Sequence, residues 1–353
     1  MERQLRWSAA AHRVEVIGVS EPGRVNRVPL GASGLEVPEI GVGVWQWGDT
    51  LSWGYGQSYS EADIRGAYEV SLARGLDFFD TAEVYGRGAS ERLLGKLVRE
   101  SGRSVLIASK FFPFPWRVTQ GSLIAALEHS LQRLGIGSID LYQIHFPAPP
   151  VPIETRLAGL ADAFDRKLIR AAGVSNFNPD QTRQAYVSLA ARGIPLASNQ
   201  VSFSLLNRRP ETSGLLEACR HLNVTLIAYS PLAQGLLTGK YTRQHRPSGM
   251  RAVRGLRASY EAIGRLVDLM REIGTGHGGK TPAQVALNWV ICKGAVPIPG
   301  AKNARQEVRR AGGAVPDDDE IGVEGFQVPG GVFQGLAFFQ RRGFGGEIDD
   351  VGG

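Results

Sequence analysis

The chain has 353 residues, 43% of them apolar and 21% charged, which is ordinary for a globular protein with a large core. Its net charge is +6, but Lys and Arg are spread along the chain without a basic run or an aromatic-spaced motif, which argues against a nucleic-acid-binding protein. A need to hold a phosphorylated cofactor explains the basic excess equally well. No apolar run approaches the roughly 18 residues of a membrane span. The two cysteines lack metal-ligand spacing and indicate a reducing compartment without disulfides.

Residues 1–26 predict a flexible N-terminal extension. Their arginines and small residues weakly resemble a transit peptide, but Glu2, Glu15 and Glu21 are unlike such a segment, which is usually poor in acidic residues. A frayed extension is an equal alternative, so location in a chloroplast or in the cytoplasm stays open.

From residue 27 the pattern predicts a β-hairpin turning at Gly31 to Gly34. Apolar strands and amphipathic helices then alternate. The expected strands are 40–44, 76–80, 105–109, 139–144, 170–174, 197–201, 224–229 and 295–298. The expected helices are 60–74, 90–100, 119–134, 153–166, 180–192, 211–221, 257–273 and 281–293. Eight strands in this order predict an α/β fold, a closed (β/α)₈ TIM barrel over residues 27–310.

Two segments interrupt this pattern. Residues 244–256 are rich in Arg, Pro and Gly and predict either a long loop over the barrel mouth or an exposed insertion. Residues 311–353 contain twelve glycines and an acidic run, without a helical period, so we expect an atypical, disordered tail.

Three consecutive strands end in ionisable residues: Asp80, Lys110 and His145, and Tyr85 follows shortly after the first. Loops at this end of parallel strands converge on one face, where such proteins place their chemistry. A tyrosine whose pKa is lowered by a lysine ammonium, itself paired with an aspartate, can protonate a carbonyl oxygen. Each residue alone is more often a cap, a packing residue or a structural histidine, but together they predict proton transfer to a carbonyl.

The later strand ends carry groups suited to a nicotinamide cofactor. Ser175, Asn176 and Gln200 could hydrogen-bond a carboxamide, and the ring of Tyr229 could stack on the nicotinamide. The loop that begins at Ser230 and leads to Lys240 could hold a pyrophosphate. Lys302, at the start of a short helix after the last strand, could meet a further phosphate. Each of these features could also be a plain turn or cap.

Together these residues resemble the aldo-keto reductase superfamily over about residues 28–306, and most closely its plant and cyanobacterial oxidoreductases, many of them plastid proteins. The motifs that carry the resemblance are FFDTAEVYG, IASK, IDLYQIH, GVSNF, NQVSFS, AYSPLAQGLLTGKY and PIPGAKNARQ. The resemblance implies a monomer or weak homo-oligomer that reduces small-molecule carbonyl compounds with NADPH and without a metal. The implied catalytic residues are Asp80, Tyr85, Lys110 and His145, with Tyr85 as the general acid.

The resemblance also assigns binding residues. It places Ser175, Asn176, Gln200 and Tyr229 at the nicotinamide and Ser230, Leu232, Gln234 and Lys240 at the pyrophosphate. Lys302 and Gln306 fall at the adenosine 2′-phosphate, and Trp45, Trp47 and Trp116 would line the carbonyl pocket. After Gln306 the chain departs from the family pattern, with Arg309 and Arg310 in place of the usual Glu-Asn. Two alternatives therefore remain: a regulatory or redox-sensing barrel that binds NADPH with little turnover, and a chain that folds poorly.

Overall fold

The computed structural model describes residues 25–242, 244–245 and 259–306. The N-terminal extension up to residue 24, the predicted tail at 311–353 and Arg309 and Arg310 lie outside the described residues. Most of the predicted mouth loop at 244–256 also lies outside them. The division into an extension, a barrel at 27–310 and a tail therefore stays a prediction at its two ends.

The first two strands form the predicted antiparallel hairpin. Strand β1 spans Arg27–Pro29 and β2 spans Glu36–Pro38. The turn uses Gly31 at φ 55° and Gly34 at φ 76°, a left-handed conformation that favours glycine. Leu30 and Val37 are buried against the side chains inside the barrel, so the hairpin covers the end of the barrel at which the strands begin.

Eight parallel strands follow in one sheet whose neighbours are consecutive in the chain. They are β3 (Val42–Gly43), β4 (Phe78–Asp80), β5 (Leu106–Phe111), β6 (Ile139–Ile144), β7 (Ile169–Ser175), β8 (Leu196–Ser202), β9 (Thr225–Tyr229) and β10 (Ala295–Pro297).

The sheet closes on itself between its first and last strands. Gly41 N–H donates to the Pro297 carbonyl at 2.9 Å, and Gly43 N–H donates to the Pro299 carbonyl at 3.0 Å, beside a parallel bridge from Gly43 to Gly300. A Cβ on Gly43 would stand 2.8 Å from the Ile298 carbonyl oxygen, a backbone atom, so the closure requires glycine at this position. The predicted (β/α)₈ barrel is confirmed.

The helices surround the barrel. They are α1 (Glu61–Ala73), α2 (Ala89–Ser101), α3 (Gln120–Leu134), α4 (Ile153–Asp165), α5 (Pro179–Ala190), α6 (Arg209–Thr212), α7 (Leu215–His221), α8 (Tyr260–Gly276) and α9 (Pro282–Cys292). The one predicted at 211–221 is divided at Gly214, whose φ is 77°. None of the helices in the described ranges is long and apolar enough to cross a membrane.

Two apolar clusters form the core. The larger lies between the outer faces of the strands and the helices, and the smaller fills the barrel interior. The interior cluster contains Phe78, Ala108, Leu141 and Ile227. Because side chains alternate along a strand, the residues two positions later point into the same interior, nearer the carboxyl ends of the strands. Asp80, Lys110, Gln143 and Tyr229 occupy those positions.

Candidate active site

Asp80 and Lys110 form a buried ion pair where β4 and β5 end. Lys110 Nζ lies 2.5 Å from Asp80 Oδ1 and also donates to the Thr81 carbonyl at 2.9 Å. Lys110 is fully buried, and this burial lowers its pKa, while the Asp80 carboxylate opposes that effect. The pair therefore places the Lys110 ammonium at the barrel mouth. This cation has the hydrogen-bond partners that a buried charge requires.

Tyr85 begins the 3₁₀ segment Tyr85–Gly88, in which Gly86 and Arg87 have positive φ. Its ring centroid lies 5.1 Å from Lys110 Nζ, so the predicted neighbours do meet. The predicted direction of the pKa shift differs, however. Burial, together with the charge of Asp80, raises the pKa of Tyr85 above its ordinary value, because a phenolate is disfavoured near a carboxylate and away from water. Tyr85 therefore keeps its proton at neutral pH.

His145 follows β6 and lies edge-on to Tyr85, with ring centroids 6.0 Å apart. Burial and the charge of Lys110 lower the pKa of His145 to about 3. The imidazole is therefore neutral at physiological pH and has one N–H to donate. Among the described residues no group hydrogen-bonds its Nδ1, which is buried.

A second polar group lies at the ends of β7, β8 and β9. Ser175 Oγ donates to the Gln200 carbonyl at 2.8 Å, and Asn176 Nδ2 donates to the His145 carbonyl at 3.1 Å. The Tyr229 hydroxyl donates to Asn176 Oδ1 at 3.0 Å. Gln200 Nε2 donates to Asp80 Oδ2 at 2.8 Å, so this group is continuous with the buried ion pair. The predicted carboxamide residues are thus held beside the predicted catalytic residues.

The loop after β9 contains several residues in the left-handed region of backbone conformation. Ser230, Ala233, Gln234 and Gly235 all have positive φ, between 46° and 98°. A Cβ on Gly235 would stand 2.8 Å from Lys240 Cε, so the lysine side chain lies directly over the glycine backbone. Within the loop the Ala233 and Gly235 N–H groups donate to the Ser230 and Leu232 carbonyls, at 2.8 and 2.9 Å, so the loop is a series of tight turns with Lys240 folded over it. The predicted Leu232 lies within the same loop.

Lys302 lies after β10, close to the barrel closure. Its backbone N–H donates to Gln306 Oε1 at 3.1 Å, and its Nζ donates to the Trp53 carbonyl at 2.8 Å. The ammonium also lies 4.5 Å from the centroid of the Tyr59 ring and 5.3 Å from that of Trp53. In this conformation the lysine links the segment between β3 and α1 to the segment that follows β10.

The three predicted pocket tryptophans lie in different environments. Trp45 lies 5.9 Å from Tyr85 by ring centroids and Trp116 is 72% exposed. Trp47 is fully buried, and its Nε1 donates to the Ala301 carbonyl at 3.0 Å. The prediction that Trp47 lines a pocket is wrong, because its indole fills the core behind the barrel closure.

Comparison with known proteins gives the family. The model of the aldo/keto reductase family matches residues 39–311. The chain belongs to the aldo-keto reductase family. It is 39% identical over 306 residues to the chloroplastic pyridoxal reductase of Arabidopsis thaliana, covering 82% of this chain and 83% of the relative. The chain is therefore an oxidoreductase of this family.

Solved structures agree with this assignment. An aldo-keto reductase from Klebsiella pneumoniae, solved in complex with NADPH, has a TM-score of 0.62 at 25% identity and covers 82% of this chain and 89% of its own. The glycerol dehydrogenase of Gluconobacter oxydans has a TM-score of 0.74 at 23% identity, over 94% of this chain and 98% of its own. This second likeness supports the fold alone.

Two features of this aldo-keto reductase were missed by sequence reasoning. Gln143 Nε2 donates to Asp80 Oδ2 at 3.3 Å, and a Cβ on Gly173 would stand 2.9 Å from Gln143 Cγ, so the next strand leaves room for this amide. The alternation in IDLYQIH, which puts Gln143 on the same face as His145, could have identified it. Glu83 and Arg117 form a partly buried ion pair that joins two separate loops, and no sequence pattern indicates it.

Proposed function

We propose that this protein is an NADPH-dependent reductase of aldehydes or ketones, with Tyr85 as the general acid. The observation that carries the proposal is the meeting of Tyr85, Lys110, Asp80 and His145 at one end of the barrel. A protonated phenol, a buried cation and a neutral imidazole together suit the polarisation and protonation of a carbonyl oxygen. When bound, the nicotinamide would supply a hydride to the carbonyl carbon.

The residues of the chain have separate tasks in this proposal. Tyr85 donates its phenolic proton to the substrate oxygen. The ammonium of Lys110 then stabilises the phenolate that remains, and Asp80 keeps Lys110 charged and in position. His145, being neutral, donates a hydrogen bond to the substrate oxygen and orients it. The raised pKa of Tyr85 keeps the donor protonated until the substrate arrives.

The residues present also fit the cofactor. We propose that Ser175, Asn176 and Gln200 bind the carboxamide, that the Tyr229 ring stacks on the nicotinamide, and that Trp45 packs beside it. The tight turns that begin at Ser230, with Lys240 folded over them, support a pyrophosphate site that includes the predicted Leu232 and Gln234. Lys302 and Gln306 would hold the 2′-phosphate, which requires the Lys302 ammonium to leave the Trp53 carbonyl.

The pyridoxal reductase relative supports a substrate class and a cellular compartment for this protein. The pyridoxal reductase at 39% identity supports a planar aromatic aldehyde of the pyridoxal type as the first substrate to test. This relative is a chloroplastic protein, which supports location in the plastid over location in the cytoplasm for this protein.

Replacement of Tyr85 by Phe tests the proposed acid. We expect turnover of an aromatic aldehyde to fall by at least about a hundredfold, as is typical when a general acid is removed, with NADPH binding nearly unchanged. Tyr186→Phe, at a half-buried position of α5 that packs against the outer core, is the matched control and should keep wild-type activity. NADPH consumption and quenching of tryptophan fluorescence by NADPH would measure the two effects. Retained turnover in Tyr85→Phe would exclude Tyr85 as the acid.

The same assay separates the proposal from the regulatory alternative. An NADPH-binding barrel with a regulatory role would bind NADPH tightly and turn over no carbonyl compound, in the wild type as in the variant. Turnover by the wild type alone supports the reductase.

A further inference from the structure

An aromatic wall extends from His145 to the surface. It consists of Phe112, Phe114, Trp116 and Phe146. Phe114 and Trp116 are stacked, with ring centroids 4.7 Å apart and an interplanar angle of 6°, and Phe112 lies 4.7 Å from Phe114 and 5.9 Å from Phe146. Each ring of the wall therefore lies within 5.9 Å of a neighbouring ring, measured between ring centroids.

The wall adjoins the catalytic site and remains partly open to solvent. Phe112 lies edge-on to His145 at 5.5 Å, and Phe146 stacks on His145 at 4.9 Å. Trp116 is 72% exposed and Phe146 is 38% exposed. Large aromatic side chains left exposed in a row beside a reactive group usually mark a binding surface.

An ion pair holds the loop that carries most of this wall. Arg117 Nη1 lies 2.5 Å from Glu83 Oε1, and Arg117 Nη2 lies 3.0 Å from Glu83 Oε2, which is a bidentate pair. The side chains are 20% and 6% exposed. Glu83 Oε1 also accepts the Phe112 N–H at 2.6 Å, and Arg117 Nη1 donates to the Phe112 carbonyl at 2.9 Å. Both backbone polar groups of Phe112 are thus fixed by this one pair.

The arginine also packs against the rings themselves. Its guanidinium carbon lies 5.1 Å from the Phe114 ring centroid and 5.2 Å from that of Phe111. A guanidinium in this position contributes cation–π attraction as well as its hydrogen bonds. A lysine ammonium offers neither the paired N–H donors nor the flat face of a guanidinium.

The position of Glu83 links the wall to the catalytic residues. Glu83 lies between Asp80 and Tyr85 in the segment that leaves β4. The pair therefore joins the loop that positions Tyr85 to the loop that carries Phe112, Phe114 and Trp116. Because the guanidinium is matched by the Glu83 carboxylate, the wall presents uncharged ring faces to a ligand.

We propose that Arg117 is a positioning residue for substrate specificity: paired with Glu83, it holds the aromatic wall beside His145 so that a planar, uncharged aromatic carbonyl compound stacks there. This inference rests on the proposed reductase function and names the residues that would recognise the ring of its substrate. The pair acts on recognition of the ring, while proton donation stays with Tyr85.

The test compares benzaldehyde with propanal, which has no ring to stack. In Arg117→Met we expect the KM for benzaldehyde to rise about tenfold, equivalent to about 1.4 kcal/mol of binding free energy. The KM for propanal should change less than twofold, and kcat for both should stay within about twofold. Trp116→Ala, which removes the exposed ring, should give the same split.

Two further variants separate positioning from folding. Arg117→Met alone leaves the buried Glu83 carboxylate unpaired, which lowers stability. The double variant Glu83→Gln with Arg117→Met removes that charge, so its melting temperature should recover while the KM for benzaldehyde stays high. Arg117→Lys should restore the KM only in part. Arg166→Met, at an exposed pair with Asp162, is the matched control and should change neither KM.

The outcomes distinguish the two proposals. Wild-type protein that turns over neither aldehyde would refute the reductase function and this inference with it. Wild-type turnover of both, with the KM ratio of Arg117→Met unchanged from wild type, would refute the positioning role alone. A rise in both KM values by the same factor would also refute it, because it would show a general disturbance of the site.

Discussion

At the scale of single residues, the chain builds its candidate site from groups whose ordinary chemistry is changed by burial. Asp80 accepts hydrogen bonds from Lys110, Gln143 and Gln200, so one carboxylate fixes three side chains from three strands. The sequence was sufficient to predict that Asp80, Lys110 and His145 lie together where β4, β5 and β6 end, because each follows an apolar strand. It could not give the direction of the Tyr85 pKa shift, since that depends on how deeply the folded chain buries the phenol.

The pKa of His145 leads to a prediction about stability. With a pKa of about 3 in the folded state, against about 6.5 in the unfolded chain, the unfolded chain binds the extra proton between these values. The free energy of unfolding should therefore fall as the pH drops from about 6.5 toward 3, by a contribution on the order of a few kcal/mol. The contribution of the neutral, buried His145 to the free energy of unfolding should be fully present above pH 6.5.

Urea unfolding at pH 7 and at pH 4.5 would measure this contribution. His145→Gln, which does not titrate, should lose less stability between these two pH values than the wild type does. An equal loss in both proteins would show that His145 takes up its proton in the folded state. His221→Gln, on the exposed end of α7, provides the matched control.

At the scale of elements, the alternating pattern predicted nearly every strand and helix, with ends displaced by a few residues. The starts of α1 and α9 could be predicted because Ser60 is followed by Asp63 and Thr281 by Pro282, and in the structure both Ser60 and Thr281 cap their helices. The break between α6 and α7 at Gly214 could not be predicted, because an isolated glycine is compatible with a continuous helix. The Glu83–Arg117 pair could not be predicted either, since it depends on two loops folding toward each other.

Close packing between α2 and α3 depends on one glycine. A Cβ on Gly95 would stand 2.2 Å from the Leu134 carbonyl oxygen, a backbone atom that cannot turn aside. We therefore expect Gly95→Ala to lower the free energy of unfolding by about 1–3 kcal/mol, the usual cost of overpacking. Denaturant unfolding would measure it, with the m-value unchanged if the native state keeps its compactness.

Gly264 in α8 is the matched control. No heavy atom outside its local helix lies within 4 Å of a Cβ built there, so Gly264→Ala should be neutral or stabilise by up to about 1 kcal/mol through helix propensity. Equal effects at both glycines would mean that helix propensity, and not the contact with α3, decides the result at Gly95.

At the scale of the whole molecule, the proposed cofactor residues come from β7, β8, β9 and the segment after β10. A ligand that contacts all of them would bind only the closed barrel. NADPH at a hundred times its Kd should therefore add about 2.7 kcal/mol to the free energy of unfolding, which is a rise in melting temperature on the order of 5 °C.

Differential scanning fluorimetry with NADPH and NADH would measure this rise. Lys302→Met should reduce the shift with NADPH and leave the smaller shift with NADH unchanged, because only NADPH carries the 2′-phosphate. A broad, low melting transition that NADPH does not raise would favour the alternative of a poorly folding chain. An equal shift with both cofactors would exclude Lys302 as the residue that distinguishes them.

The closure between Gly43 and Gly300 also constrains how the protein can be made. These residues are 257 positions apart (300 − 43), and a ribosome adding about 5–20 residues per second needs roughly 13–50 s to pass from one to the other. Throughout that interval the edge of β3 that faces away from β4 has no partner in the sheet, and unpaired edges invite association with other chains. During synthesis, that edge of β3 therefore has to be shielded from other chains until β10 emerges.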